Sequence, residues 1–158
     1  MKVTALEEYG LRCMLLLARS GDDHPLTLPE FGLQEGVSIP YAGKLLMILK
    51  KSGLVTAVRG RKGGYVLALS PERITLKRVF DALGQPVFSS NHCDRFTGEN
   101  EVCIHSGDCS VKNIWETVEN FMETMLQRVT LADLVSGRAN LPLDTSHLFS
   151  TRDIGNQV

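Results

Sequence analysis

The chain has 158 residues, of which 43% are hydrophobic and 22% charged, and its formal net charge is −1. This size suits one domain, or one domain with an extension, and the hydrophobic fraction is ordinary for a packed core. Because the sequence has neither a run of about 18 apolar residues nor a signal-like apolar start, we expect a cytoplasmic protein. In that reducing compartment the four cysteines are expected to be thiols or metal ligands rather than disulfides.

Two capping boxes mark the first two predicted helices. The segment Thr4–Glu7 places a hydroxyl three residues before a carboxylate, and an apolar helical pattern follows to about Arg19. The segment Thr27–Glu30 repeats the arrangement and predicts a short helix to about Gln34. A turn containing a glycine comes next.

A third helix is predicted directly after that turn. Ser38 suits its N-cap and Pro40 its first turn, and Gly53 ends it. Three helices in this order, with a glycine before the third, predict a helix-turn-helix. The buried face of the third helix is expected to hold Leu45, Leu46, Ile48 and Leu49, and the other faces Tyr41, Lys44, Lys50 and Lys51.

Two short strands joined by a basic, glycine-rich tip are predicted after this helix. Val55 and Ala57 alternate with their neighbours before the tip Arg59–Gly64, and Val66 and Ala68 do so after it. A helix followed by such a hairpin is typical of the recognition helix and wing of a winged helix-turn-helix. The predicted fold class is therefore mainly α with a small β-hairpin wing, extended by a long dimerisation helix.

Positive charge is concentrated in the same part of the chain. Residues 38–78 contain nine lysines or arginines and one acid, so they carry +8 while the rest of the chain carries −9. Double-stranded DNA is the partner that best explains this asymmetry, although such lysines can also simply solvate a surface. We expect contacts in the major groove and, from the wing, in the neighbouring minor groove, through Ser38, Tyr41, Lys44, Lys50, Arg59, Arg61 and Lys62.

The remaining chain divides into four predicted parts. A fourth helix, 76–83, completes a DNA-binding domain over residues 1–84, and residues 85–109 form a cysteine-rich loop without a sustained apolar period. Residues 110–137 hold a long helix of about 19 residues and a last helical turn. Residues 138–158 are predicted to be a polar tail.

The long helix carries an apolar stripe that exceeds what a small domain can cover by itself. We therefore predict a homodimer interface, as winged helices commonly bind DNA as twofold dimers. The alternative is that the stripe lies only on the chain's own core. Its members are Val111, Ile114, Trp115, Val118, Phe121, Met122, Met125, Leu126 and Val129.

Three cysteines lie in the irregular segment: Cys93, Cys103 and Cys109. Thiolates are soft, charged donors that bind iron or zinc, and this spacing differs from the paired short knuckles of a zinc ribbon. One further ligand is then needed, with His92, His105, Asp94 and Asp108 as candidates by chemistry. Cys13 is different, because it falls on the apolar face of the first helix and is expected to be a core thiol.

The chain resembles the iron–sulfur winged-helix transcription regulators of the IscR, NsrR and RsrR type from residue 1 to about residue 135. The wing block is the most specific of the matching segments. These are Met1–Thr4 with Tyr9 and Leu11, Gly36–Tyr41, Leu45–Leu49, Gly53–Val55, Val58–Tyr65 and Ile74–Leu76.

The resemblance implies a homodimer with crossing long helices, an iron–sulfur cluster (2Fe-2S or 4Fe-4S) in each loop, and DNA affinity that depends on cluster state. In relatives a carboxylate on the partner's first helix can complete the coordination, and Glu8 stands at the matching position. The expected metal ligands are therefore Cys93, Cys103, Cys109 and Glu8, with His105 and His92 as alternatives. Here nine residues separate the first two cysteines, more than is usual in relatives, and Lys112 and Arg12 replace histidines found in some of them.

The predicted function is a DNA-binding transcription regulator that senses iron–sulfur status, redox state or nitric oxide through this cluster. One alternative is a metal-free regulator in which two cysteines form a switching disulfide. Another is a small iron–sulfur electron carrier, for which the basic helix and wing have no use. An enzyme is not expected, because no nucleophile with a base, paired carboxylates or phosphate loop is apparent.

Overall fold

The computed structural model describes residues 3–60, 62–84, 96–99, 101–105 and 109–137. The helices are α1 (Ala5–Ser20), α2 (Leu28–Glu35), α3 (Ile39–Lys51), α4 (Leu76–Leu83), α5 (Ser110–Arg128) and α6 (Leu131–Val135). The strands are β1 (Val55–Val58) and β2 (Gly64–Leu67), and a 3-10 turn covers Pro71–Arg73. The predicted fold class, mainly helical with a two-stranded wing, is confirmed.

The capping boxes start the first two helices as predicted. The Thr4 backbone N–H donates to Glu7 Oε2 at 2.7 Å, and the Glu7 N–H donates back to Thr4 Oγ1 at 3.3 Å. Thr27 donates to Glu30 Oε2 at 2.7 Å in the same manner. These bonds satisfy amide hydrogens that have no partner within the helix. Each helix therefore begins directly after its capping threonine, at Ala5 and at Leu28.

The core lies between α1, α3, α4 and the base of the wing. Gly10 of α1 lies so close to α4 that a Cβ atom there would be 2.5 Å from the methyl carbons of Leu83. This close approach fixes α4 against α1. Side chains with almost no solvent exposure fill the space around it: Cys13, Met14, Phe31, Leu45, Leu46, Leu49, Leu54, Ile74, Val79 and Leu131.

The wing is an antiparallel hairpin that pairs Val55 with Leu67 at its base and Val58 with Gly64 at its outer end. Leu26, in the loop before α2, forms an isolated bridge with Tyr65 and ties that loop to β2. The predicted alternation of Val55, Ala57, Val66 and Ala68 with their neighbours is wrong, because Ala57 and Ala68 are exposed and Leu67 is buried beside Val66. Burial follows distance from the core instead, since β1 is exposed after Val55 whereas β2 is buried at both Val66 and Leu67.

Helix α5 is joined at its C-terminal end to the unit formed by residues 3–60 and 62–84, which is called the head below. The Leu76 N–H donates to the Val129 carbonyl at 2.8 Å, and the Leu131 N–H donates to the Ile74 carbonyl at 2.9 Å. Lys77 of α4 adds an ion pair, with Nζ 3.3 Å from Glu123 Oε1. Within the described ranges, no helix is both long enough and apolar enough to cross a membrane.

Candidate DNA interface and metal site

The outer face of α3 presents the predicted cationic side chains to solvent. Lys44 and Lys50 are exposed, and Ser38 is exposed at the N-cap, where its Oγ accepts the Tyr41 N–H at 3.3 Å. Tyr41 is half-buried and meets the Tyr9 ring edge to face, with centroids 6.0 Å apart. The Tyr41 ring is therefore held against α1, while the two lysines extend freely from the helix.

Met47 is a residue of this face that the sequence reasoning did not single out. Its side chain is 55% exposed, although methionine on such a helix is more often buried. A helical wheel could have identified it, because Met47 lies three residues from both Lys44 and Lys50 and so shares their face.

The wing tip depends on its glycines. Gly60 has φ 115°, a conformation that other residues rarely adopt. A Cβ at Gly63 would lie 2.5 Å from the Val58 carbonyl oxygen, and the Gly63 N–H donates to the Gly60 carbonyl at 2.9 Å. This tight turn leaves Arg59 and Lys62 exposed, whereas the predicted contact residue Arg61 lies outside the described residues.

Two of the three predicted cysteine ligands fall in the described part of the chain. Cys103 and Cys109 are half-buried free thiols, and the candidate His105 is exposed. Cys93 and His92 lie outside the described residues. Within 3–60, 62–84, 96–99, 101–105 and 109–137, no three side chains of the metal-binding types form a group that could hold an ion.

Cys109 occupies a specific position, the N-cap of α5. The Lys112 backbone N–H donates to its Sγ at 3.5 Å. The amide hydrogens of a helix N-terminus favour negative charge, so this position suits an anionic sulfur ligand. Any group bound to Cys109 would be attached directly to the start of the long helix.

On α1, the fourth predicted ligand Glu8 is exposed and therefore accessible to another subunit. One turn later, Arg12 Nε lies 2.7 Å from Glu35 Oε2, and the guanidinium lies 5.3 Å from the centre of the Tyr9 ring. The hydrogen bond to Glu35 raises the pKa of Arg12 above its usual value. A charged, paired arginine cannot serve as a metal ligand, and the other first-turn carboxylate, Glu7, is buried in the capping box, which leaves Glu8 as the accessible carboxylate predicted on α1.

The sequence pattern of the Rrf2 family, described as "Iron-dependent Transcriptional regulator", matches residues 3–137. Protein rrf2 of Nitratidesulfovibrio vulgaris is 31% identical over 94% of this chain and 96% of its own length. Among solved structures, T. potens IscR aligns with a TM-score of 0.68 and 29% identity, over 94% of this chain and 96% of its own. CymR, the global cysteine regulator of B. subtilis, aligns with a TM-score of 0.72 and 26% identity, over 87% and 98%. The chain therefore belongs to the Rrf2 family, and it is a transcription regulator rather than an enzyme.

Proposed function

We propose that this regulator binds DNA as a homodimer and that an iron–sulfur cluster, 2Fe-2S or 4Fe-4S, sets its affinity for the operator. The cluster would report iron–sulfur status, redox state or nitric oxide. Its proposed ligands are Cys93, Cys103 and Cys109 of one subunit and Glu8 of the other, with His105 and His92 as alternatives.

The position of Cys109 is the observation that carries this proposal. Its thiol caps the N-terminus of α5, a helix of 19 residues and thus about 28 Å long. At the other end, the C-cap residue Val129 accepts a hydrogen bond from the Leu76 N–H of the head. A change at the thiol therefore acts on one end of a rigid element whose other end holds the DNA-reading domain.

The donor set fits a cluster by its chemistry. Thiolates are the usual ligands of iron–sulfur clusters, and Cys103 and Cys109 are both unpaired and half-buried. When bound, a cluster supplies a redox-active crosslink among its ligands. The exposed Glu8 carboxylate would add a ligand from the second subunit, so that ligand binding and subunit arrangement depend on each other.

Operator binding would use the exposed cations of α3 and the wing. Lys44 and Lys50 would approach the major groove, and Arg59, Arg61 and Lys62 the adjacent minor groove and its phosphates. Ser38 and Tyr41 would set the start of the recognition helix at the groove. The two heads of a dimer would contact half-sites about 34 Å apart, or one helical turn of DNA.

Anaerobic purification followed by iron and sulfide analysis tests the cluster directly. We expect a brown protein with bound iron and sulfide, and different DNA affinities for the loaded and cluster-free forms. Cys103→Ala and Cys109→Ala should each lose most of the iron. Cys13→Ala is the matched control, because this thiol lies in the core and its replacement should leave iron content unchanged.

A metal-free thiol switch is the rival, and the structural similarity to CymR of Staphylococcus aureus, which has been solved in an oxidized form, supports keeping it. This rival predicts a colourless protein whose DNA affinity changes when its thiols are oxidised and then reduced. A colourless preparation with that behaviour would replace the cluster proposal. A brown protein whose loaded and cluster-free forms bind a selected duplex equally would contradict the proposed control of DNA affinity by the cluster.

A further inference from the structure

We propose that Met47 contacts the methyl group of a thymine in the major groove, which makes it a specificity-determining residue of the recognition helix. This inference rests on the proposed DNA binding by α3. It predicts one base pair of the operator: each half-site contains an A·T pair whose thymine methyl group faces Met47 of α3.

The burial of α3 separates two faces. Leu45, Leu46 and Leu49 are fully buried and hold the helix on the core, whereas Met47 is 55% exposed. A single exposed apolar side chain is common on protein surfaces and carries no meaning by itself. What distinguishes Met47 is its place on the helix.

Met47 lies between two lysines on the outward face. Lys44 precedes it by three residues and Lys50 follows it by three, and both are exposed. At about 100° per residue, each lysine is displaced by about 60° from Met47, on opposite sides. The face therefore has an apolar centre with a cation on either side.

The other exposed apolar residue of α3 has a different setting. Ile39 is the first residue of the helix, and its Cγ1 lies 3.5 Å from where a Cβ of Gly32 would be. Ile39 therefore packs against α2, next to the turn that joins α2 to α3. Met47 is the ninth of the 13 residues of α3 and points away from the core, so it faces the groove when the helix docks by its outward face.

The major groove of DNA is chemically complementary to this face. Its base edges present hydrogen-bonding groups and one apolar group, the C5-methyl of thymine. The phosphates line both sides of the groove and suit Lys44 and Lys50. The flexible, polarisable side chain of methionine adapts well to such an isolated methyl. The excess of +8 over residues 38–78 favours this partner over an apolar protein surface.

Thymine-to-deoxyuridine replacement tests the inference, because it removes only the methyl group. Duplexes that bind the full-length protein would be selected from a random pool, and each thymine would then be replaced in turn. We expect one position in each half-site where the replacement weakens binding about three- to fivefold, the value for one buried methyl-sized group. Binding that is insensitive at every thymine would overturn the inference.

Two substitutions identify the side chain responsible. Met47→Gln keeps the length of the side chain but makes it polar, so it should lose a similar factor on the thymine duplex and bind the thymine and uracil duplexes equally. Met47→Leu stays apolar and should retain the preference. Equal thermal unfolding of both variants and the wild type would show that the exposed site tolerates the changes.

The outcomes separate the two proposals. If Met47→Gln still discriminates thymine from uracil as the wild type does, another residue reads the methyl and this inference is wrong while DNA binding stands. If the wild-type protein selects no duplex at all, the proposed function fails and this inference fails with it.

Discussion

Cys13 shows how strongly the surroundings of a residue change its acidity. The side chain is fully buried in α1, and burial, with a contribution from the negative charge of Glu35, raises the pKa of its thiol to about 12. The thiol therefore stays protonated at every physiological pH. This keeps Cys13 apart from the chemistry of Cys103 and Cys109.

The raised pKa of Cys13 predicts a loss of stability in alkali. Below pH 9.0, its ordinary value, the thiol is protonated in both folded and unfolded chains. Between pH 9 and about 12 only the unfolded chain loses the proton, so the free energy of unfolding should fall, by at most about 1.4 kcal/mol per pH unit. Urea unfolding across this range would measure it. Cys13→Ala should fall less steeply, and identical slopes would contradict the assignment.

Individual residues were predictable where their environment depends on neighbours in the sequence. The position of Cys13 on the apolar face of α1 predicted its burial, and this is confirmed. The Arg12–Glu35 pair was not predictable, because its partners are 23 residues apart and meet only through the crossing of α1 with α2. The ligand set stays a prediction, because Cys93 and His92 lie outside the described residues.

At the scale of elements, local chemistry decided what the sequence could predict. The helix 76–83 and the start of α5 at Ser110 agree with prediction, because caps and apolar periods act within a few residues. The burial pattern of the wing did not agree, since it depends on how far the hairpin extends from a core built by other elements. The bridge between Leu26 and Tyr65 was not predicted either, because the two residues are far apart in the sequence and meet only in the folded chain.

Two helix glycines allow a matched test of packing. Gly43 lies in α3, where a Cβ would meet Leu28 Cδ1 at an ordinary 3.7 Å. Gly43→Ala should therefore raise stability by about 0.5–1 kcal/mol, because alanine is the better helix former. Gly10→Ala makes the same change in α1, but its Cβ would be 2.5 Å from buried Leu83, and it should lower stability by about 1–3 kcal/mol. Thermal unfolding with denaturant titration would measure both, and a shift of the same sign would contradict this packing.

At the scale of the whole molecule, α5 begins at its N-cap Cys109 and packs against α4 of the head. Its C-terminal end is buried at Leu126 and Val129, and Lys77 joins it to α4 through Glu123. The Lys77 ammonium also lies 2.6 Å from Asp81 Oδ1, and these carboxylates, Asp81 foremost, raise its pKa. The C-terminal end of α5 thus belongs to the head.

The N-terminal half of α5 has a different character. Val111 is 60% exposed and Ile114 56% exposed, although both belong to the apolar stripe predicted from the sequence. The stripe is thus divided: its C-terminal part lies on the chain's own core, as one sequence hypothesis held, and its N-terminal part does not. An exposed apolar surface of this kind marks an interaction site, which supports the proposed dimer.

Ile114→Glu would test that dimer while leaving the head intact. Ile114 is exposed on one subunit, so a carboxylate there costs little in the protomer, but it would be buried without a partner between two crossing helices. We expect the variant to sediment as a monomer at concentrations where the wild type is a dimer, and to lose affinity for a duplex with two half-sites more than for one half-site. Val135→Glu, at an exposed apolar residue of α6, is the control and should remain dimeric. If Ile114→Glu sediments as the wild type does, the subunits meet through another surface, and the proposed ligation by Glu8 across the dimer loses its structural basis.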